Sequence, residues 1–258
     1  MYFIDTHTHL FLKEFEDDID NVIRESISSG VNKMLLPNIN SKTISSMNDI
    51  CKRFPENCFA MIGLHPCDVR KTSFESELDI IKNELLRKKY IAVGEIGIDL
   101  YWEKHTLDIQ KRVFEAQINL AKQHNLPIVI HVRDSFSETI EIVERLNSEN
   151  LSGVFHCFSG EIKDAERIIE LENFFLGIGG VLTFKNSNLD KVIEKIDLDH
   201  IVLETDSPYL APVPFRGKRN ESKHIVNIAS RLAEIKNTPL KLIAEITTQN
   251  AINLFNIP

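Results

Sequence analysis

Eight short runs of apolar and β-branched residues recur along this chain, separated by longer segments of helical period, and no other feature restricts its fold so strongly. The runs lie at 2–6, 33–37, 59–64, 91–95, 128–131, 153–156, 175–178 and 201–204. Helical spacing marks 16–28, 43–53, 75–87, 107–123, 136–146, 163–171 and 189–196, and a further segment at 240–254 follows the last run. Within 107–123, Ile109, Val113, Ala116, Gln117, Leu120 and Ala121 fall three and four apart, the period of one buried helix face. Neighbouring strands joined in this way pair in parallel, because each return crossover needs a dozen or more residues. The pattern predicts an α/β chain folded as a TIM (β/α)8 barrel with an added C-terminal helix; an open doubly wound sheet is the alternative. The 258 residues match the roughly 250 of one barrel. No linker or low-complexity stretch divides them, so 1–258 is expected to form a single domain.

Hydrophobic residues at 43% and charged residues at 26% supply a sizeable core and exclude a disordered or collagen-like chain. No apolar run approaches the roughly 18 residues of a membrane span, and residues 1–10 lack the basic stretch and apolar core of a signal peptide. A cytoplasmic protein with no membrane partner is expected. Cys51, Cys58, Cys67 and Cys157 show neither a CxxC pair nor zinc-finger spacing, so reduced, packed thiols are expected. The 30 Lys and Arg against 38 Asp and Glu give a formal charge of -8, which argues against broad adhesion to nucleic acid. A nuclease remains compatible, since bound metals would add charge that the formal count omits.

Polar residues interrupt the pattern mostly where a run ends. His7 and His9 follow the first run in Asp5-Thr-His-Thr-His9, and a period of two places both on one face. Glu95 ends the fourth run, His131 the fifth and His156 the sixth, while Asp206 follows the eighth. In a barrel these ends meet on the C-terminal face, where active sites of that fold lie. A lone histidine beside a strand is more often a hydrogen-bonded core residue. Six such side chains gathered at one rim would be costly to desolvate without a partner, and divalent metal supplies one. His7, His9, Glu95, His131, His156 and Asp206 are therefore the expected metal ligands. Glu204 shares the parity of Asp206 but sits deeper, so it is expected to orient a ligand or a water.

These ligands belong to a longer ordered series: Asp5-Thr-His-Thr-His9, Gly63-Leu-His-Pro66, Gly94-Glu-Ile-Gly-Ile-Asp99, His131-Val-Arg-Asp134, His156-Cys-Phe-Ser-Gly160, Glu204-Thr-Asp-Ser-Pro-Tyr-Leu-Ala-Pro212 and Arg216-Gly-Lys-Arg-Asn220. In that series the chain resembles, over nearly its whole length, the TatD family of metal-dependent deoxyribonucleases, a branch of the amidohydrolase-like barrels. The resemblance implies one metal held by His7, His9, Glu95 and Asp206, with Glu95 bridging to a second held by His131 and His156. Ser222 departs from the proline usual after the Asn-Glu pair, which predicts a change in loop stiffness and little effect on the metals. Several amidohydrolases bridge their metals with a carbamylated lysine. Glu95 brings its own carboxylate, which turns the reading away from phosphotriesterase-like and dihydroorotase-like enzymes.

The activity so implied is hydrolysis of DNA phosphodiester bonds, as a 3'-5' exonuclease on single strands, by a water activated between two divalent metal ions. Mg or Mn is expected for activity, and Zn, Ni or Fe as the ion that purifies. Asp206 is read as general base or as ligand alone. His65 is read as a phosphate contact or leaving-group acid, with a solvent-facing loop histidine as the plainer use. Arg133, Arg216, Lys218 and Arg219 suit phosphate positioning and plain solvation equally. Tyr101, Trp102, Tyr209 and Phe215 could stack on bases, although rim packing is the commoner use. The expected partner is DNA with single-stranded 3' ends; no obligate protein partner is evident, and a monomer is expected. The rival function is a metal-dependent hydrolase of another ester or amide, either a small-molecule amidohydrolase or a D-aminoacyl-tRNA deacylase. A non-catalytic binding protein is disfavoured by the complete ligand set.

Overall fold

The computed structural model describes residues 2–102 and 104–258. Its strands are β1 (Phe3–Asp5), β2 (Val31–Pro37), β3 (Cys58–Met61), β4 (Val93–Asp99), β5 (Ile128–Arg133), β6 (Gly153–Phe155), β7 (Phe174–Ile178) and β8 (Ile201–Leu203). Its helices are α1 (Ile19–Ser28), α2 (Ile44–Arg53), α3 (Phe74–Arg87), α4 (Leu107–His124), α5 (Phe136–Leu146), α6 (Ile162–Ile169), α7 (Leu189–Ile193), α8 (Ile225–Lys236) and α9 (Leu240–Phe255). Strands β1 to β3 and β4 to β8 form two parallel runs in sequence order. Two isolated bridges join them into a ring, Ile62 with Val93 and Thr8 with Ser207. At the second seam Thr6 N–H donates to Leu203 O at 3.0 Å and His9 N–H to Ser207 O at 2.8 Å. The sheet is thus a closed TIM barrel and not the open alternative.

Two features differ from the sequence expectation. Helix α8 lay in none of the expected segments, yet Ile225, Ile228, Ala229 and Leu232 are buried at helical spacing. The Pro212, Pro214 and Gly217 that precede it read as coil and mask its onset. Strands β4 and β5 also run past their expected ends, so Glu95 and His131 lie inside strands. Pairing continues through Gly97 with His131 and Asp99 with Arg133. Gly97 makes this approach feasible: its φ is +147°, and a Cβ there would lie 2.1 Å from His131 O.

The floor of the barrel explains the added helix. Each strand region contributes one apolar residue to a common layer: Ile4, Leu35, Met61, Ala92, Val129, Val154, Phe175 and Val202. Ala251, Leu254 and Phe255 of α9, with Ile257, pack against that layer and cover it. The cap is pinned by Thr248 Oγ1 donating to Tyr2 O at 3.0 Å, and by Asn250 Nδ2 donating to Leu198 O and Ile201 O at 2.8 Å each. Phe255 is 2% exposed, so Phe255→Ala should cost about 3–5 kcal/mol of stability, measured by urea unfolding. A loss below about 1 kcal/mol would contradict the capping role. Among the described residues no helix is long and apolar enough to cross a membrane.

Candidate active site

Strand parity carries the functional side chains up from this floor. His131 stands two residues beyond Val129 and His156 two beyond Val154, while Glu204 and Asp206 follow Val202 and His65 follows Met61 at even spacing. Two positions break the rule. The backbone bends at Thr6 just after β1, and the register of β4 shifts between Val93 and Ile96, which brings His7 and Glu95 inward at odd spacing.

Glu95 is the hub, 2% exposed and faced by five imidazoles. Its Oε2 lies 3.2 Å from His7 Nε2 and 3.5 Å from His9 Nε2. Its Oε1 lies 2.7 Å from His131 Nδ1, 3.2 Å from His156 Nε2 and 3.3 Å from His65 Nε2. Asp206 closes the near side, with Oδ1 3.5 Å from His9 Nε2 and 3.9 Å from His7 Nε2. Burial alone would push the Glu95 carboxyl up; the imidazoles of His65, His156 and His7 and the bond from His131 overcome it and hold the group well below the usual carboxylate range. Asp206 is likewise lowered against its burial, through His9, His156 and His7. Burial lowers His7 and His65, whereas in His131 and His156 it is outweighed by carboxylates, Asp99 with Glu95 for the former and Glu204 with Glu95 for the latter.

This donor set fits divalent metal. His7 Nε2 and His9 Nε2 face each other at 3.2 Å, an approach that only one proton can mediate, and the carboxylates of Glu95 and Asp206 converge on the same point. Among the described residues there are three groups whose donor atoms all lie within 4.8 Å of one another inside the group: His7, His9 and Glu95; His7, His156 and Asp206; and His65, Glu95 and His131. All six expected ligands thus meet at one rim; His156 lies between the two ends, grouped with His7 and Asp206 yet facing the same Glu95 oxygen as His131, and His65 stands beside His131. A hydrogen bond qualifies the part of His65. Its Nδ1 accepts from Cys67 N–H at 3.1 Å, so the neutral ring carries its proton on Nε2, towards Glu95 and His131. That nitrogen is set to donate, not to ligate.

Buried polar residues around the site support it. Glu204 is fully buried; its Oε1 accepts from Cys157 N–H at 2.7 Å and pairs with His156 Nδ1 at 3.1 Å. Asp5 ties β1 to β8 by accepting from Thr205 N–H at 2.9 Å and Thr205 Oγ1 at 2.6 Å, and burial pushes its carboxyl up to about 7. Two amides two turns apart on α4 clamp loop backbones. Gln117 accepts from Leu64 N–H at 2.7 Å and donates to Leu64 O at 3.1 Å, and Gln110 does the same for Asp99 at 2.8 and 3.1 Å. A buried Gln on an apolar helix face was the one legible trace of this device.

Gly177 on β7 leaves the space that the Glu204 carboxylate occupies, since a Cβ there would lie 2.3 Å from Oε2. Gly177→Ala should therefore displace Glu204 from His156, lowering stability by about 1–3 kcal/mol and activity with it. Thermal unfolding and turnover of the variant test this, and wild-type values in both would show that the glycine is dispensable.

At the rim, the Arg133 guanidinium lies 4.0 Å from the ring centre of Tyr101 and 5.6 Å from that of Trp102, rings that are 51% and 64% exposed. Arg216 packs 3.7 Å over Phe184, and Lys218 is exposed. Arg219 does not serve the site: it makes a bidentate pair with Asp18 at 2.8 and 2.7 Å and another bond to Glu221 at 2.9 Å. Phe215 is also committed, stacked on His224 at 4.1 Å, whereas Tyr209 is 50% exposed near His9. A cavity of about 260 Å³ opens beside His156, walled by Val132, Phe136 and Phe158 with Asp134 and Ser159 among its polar residues. All four cysteines are free.

Residues 4–256 match the family model described as TatD related DNase. YabD of Bacillus subtilis, an uncharacterized metal-dependent hydrolase, is 38% identical over 254 residues, with 98% of each chain covered. The crystal structure of the TatD homologue YjjV from Escherichia coli superposes with a TM-score of 0.93 at 30% identity, covering 99% of this chain and 98% of that one. A phosphotriesterase homology protein from Escherichia coli, at 15% identity and a TM-score of 0.73, shares the fold. With the family match spanning the barrel and its whole histidine and carboxylate rim, the chain belongs to the TatD family and is a metal-dependent hydrolase.

Proposed function

We propose that this hydrolase cleaves DNA phosphodiester bonds, acting as a 3'-5' exonuclease on single strands with two divalent ions, Mg or Mn in activity. The observation that carries the reading is the cluster around Glu95, whose two oxygens face different sets of imidazoles and so suit a bridging ligand. His7, His9, Glu95 and Asp206 would hold one ion, and Glu95, His131 and His156 the other. When bound, such ions lower the pKa of a coordinated water from about 15.7 to about 7 and neutralise charge on the oxygens of a phosphodiester.

The chain's own groups complete the reaction. Asp206 is the catalytic residue that takes the proton of the attacking water at Oδ1, the oxygen turned to the cluster. His65 presents Nε2–H to a phosphate oxygen or to the departing alkoxide. Arg133 and Arg216 supply phosphate contacts at the rim, and Tyr101 and Trp102 an exposed surface for stacking. The cavity beside His156 has room for one base or small ring. Glu204 holds His156 at Nδ1, leaving Nε2 towards Glu95. The protein acts as a single-domain monomer in the cytoplasm.

Hydrolysis of another ester or amide is the competing assignment, because the same rim serves either chemistry. Metal-loaded protein incubated with 3'-labelled single strands, blunt duplex, and a panel of esters and lactones decides between them, with Glu95→Ala as the control for contaminating nuclease. Stepwise loss of nucleotides from single strands is expected. Ester turnover without DNA cleavage would overturn the nuclease reading.

A further inference from the structure

Asp99, at the end of β4, uses its two oxygens on two different parts of the site, and its side chain is 1% exposed. Oδ2 lies 3.0 Å from His131 Nε2. Oδ1 accepts from the backbone N–H groups of Tyr101 at 3.0 Å and Trp102 at 2.9 Å. The backbone of Asp99 is itself clamped by Gln110, so the carboxylate is fixed at its root. On the far side of the His131 ring, Nδ1 faces Glu95 Oε1 at 2.7 Å.

We propose that Asp99 is a positioning residue that joins the metal centre to the aromatic rim. It holds a proton of His131 on Nε2, so that a cation need displace only the Nδ1 proton shared with Glu95 to find a lone pair there, and the same carboxylate sets the Tyr101–Trp102 turn on which Arg133 rests. The inference rests on the metal-dependent reading above. Its logic is the inventory of the imidazole, since a neutral ring has one N–H and an ionised carboxylate can only accept it. His156 has the opposite arrangement, with Nδ1 at Glu204 and Nε2 at Glu95, so it is a built-in control that Asp99 does not touch. By contrast, the outer nitrogens of His7 and His9 have no partner among the described residues.

Asparagine separates the two functions of the carboxylate. In Asp99→Asn an oxygen can still receive the Tyr101 and Trp102 N–H groups, while the amide nitrogen presents a donor to His131 Nε2. The His131 proton must then move to Nδ1, where it blocks ligation. Alanine removes both functions. Metal-free wild type, Asp99→Asn and Asp99→Ala are titrated with zinc by calorimetry, and the emission of Trp102, the single tryptophan of the chain, is recorded before zinc is added.

Wild type should bind two zinc ions. Asp99→Asn should bind one of them within about threefold of wild type and the other about 10- to 100-fold more weakly, with metal-free Trp102 emission unchanged. Asp99→Ala should show the same selective weakening together with altered emission. Wild-type affinities in Asp99→Asn, equal weakening of both ions, or wild-type emission in Asp99→Ala would each overturn the proposal while leaving the metal centre standing. A wild type that bound no zinc would remove the metal centre itself, and this inference with it.

Discussion

Glu95→Ala should abolish hydrolysis, with kcat/KM falling by about a thousandfold or more. Ions bound in this cluster would supply several kcal/mol of charge stabilisation, and each 1.36 kcal/mol is about a factor of ten in rate. Among the described residues the carboxylate is the one group within 3.5 Å of a nitrogen on all five imidazoles, so its loss would remove candidate ligands from both ends of the cluster at once. The closed ring of strands, the floor layer and the α9 cap do not depend on it, and the folded barrel should persist by circular dichroism. Bound metal, measured by elemental mass spectrometry on the purified variant, should fall together with turnover. Retained metal with near-normal turnover would show that Glu95 is not the hub.

The second large effect is expected at Asp206. Its φ is +56°, a left-handed conformation that Asn adopts as readily as Asp, so Asp206→Asn removes the charge without straining the backbone. The backbone bond from Asp206 N–H to His7 O at 2.9 Å is retained as well. Losing a general base costs about 10²- to 10⁴-fold in kcat. Steady-state kinetics on single-stranded DNA, with metal content measured in parallel, separates the two roles. Lower kcat with metal intact identifies the base, and lower kcat with lower metal identifies the ligand. Wild-type turnover would exclude both.

Much of this architecture was legible because it is periodic. The strand runs, the buried helix faces and the candidate ligands on β5 and just past β6 and β8 follow spacings that a linear sequence displays, and β-branched runs ending in His or Asp mark the rim directly. The remainder depends on closure. Asp5 reaches Thr205 and Arg219 reaches Asp18 across about two hundred positions, and no local pattern announces either contact. Glu95 enters the site through a register shift, which parity alone would have turned away from the interior. Asp99 was visible within Gly94-Glu-Ile-Gly-Ile-Asp99, but its link to His131 exists only because β4 and β5 remain paired beyond Glu95. The basic loop shows the opposite error. Its charges looked alike in sequence, yet Arg219 is held by two carboxylates and Phe215 by His224, which leaves Arg216 and Lys218 to face solvent.

The central claim is that imidazoles and carboxylates from five strand regions gather around two cations at one end of the barrel. Anomalous diffraction at the manganese edge, from crystals of the protein soaked in Mn²⁺, tests it most directly. Two peaks are expected, both within ligand distance of Glu95, one flanked by His7, His9 and Asp206 and the other by His131. A rim free of anomalous density at saturating Mn²⁺, or peaks remote from Glu95, would contradict it.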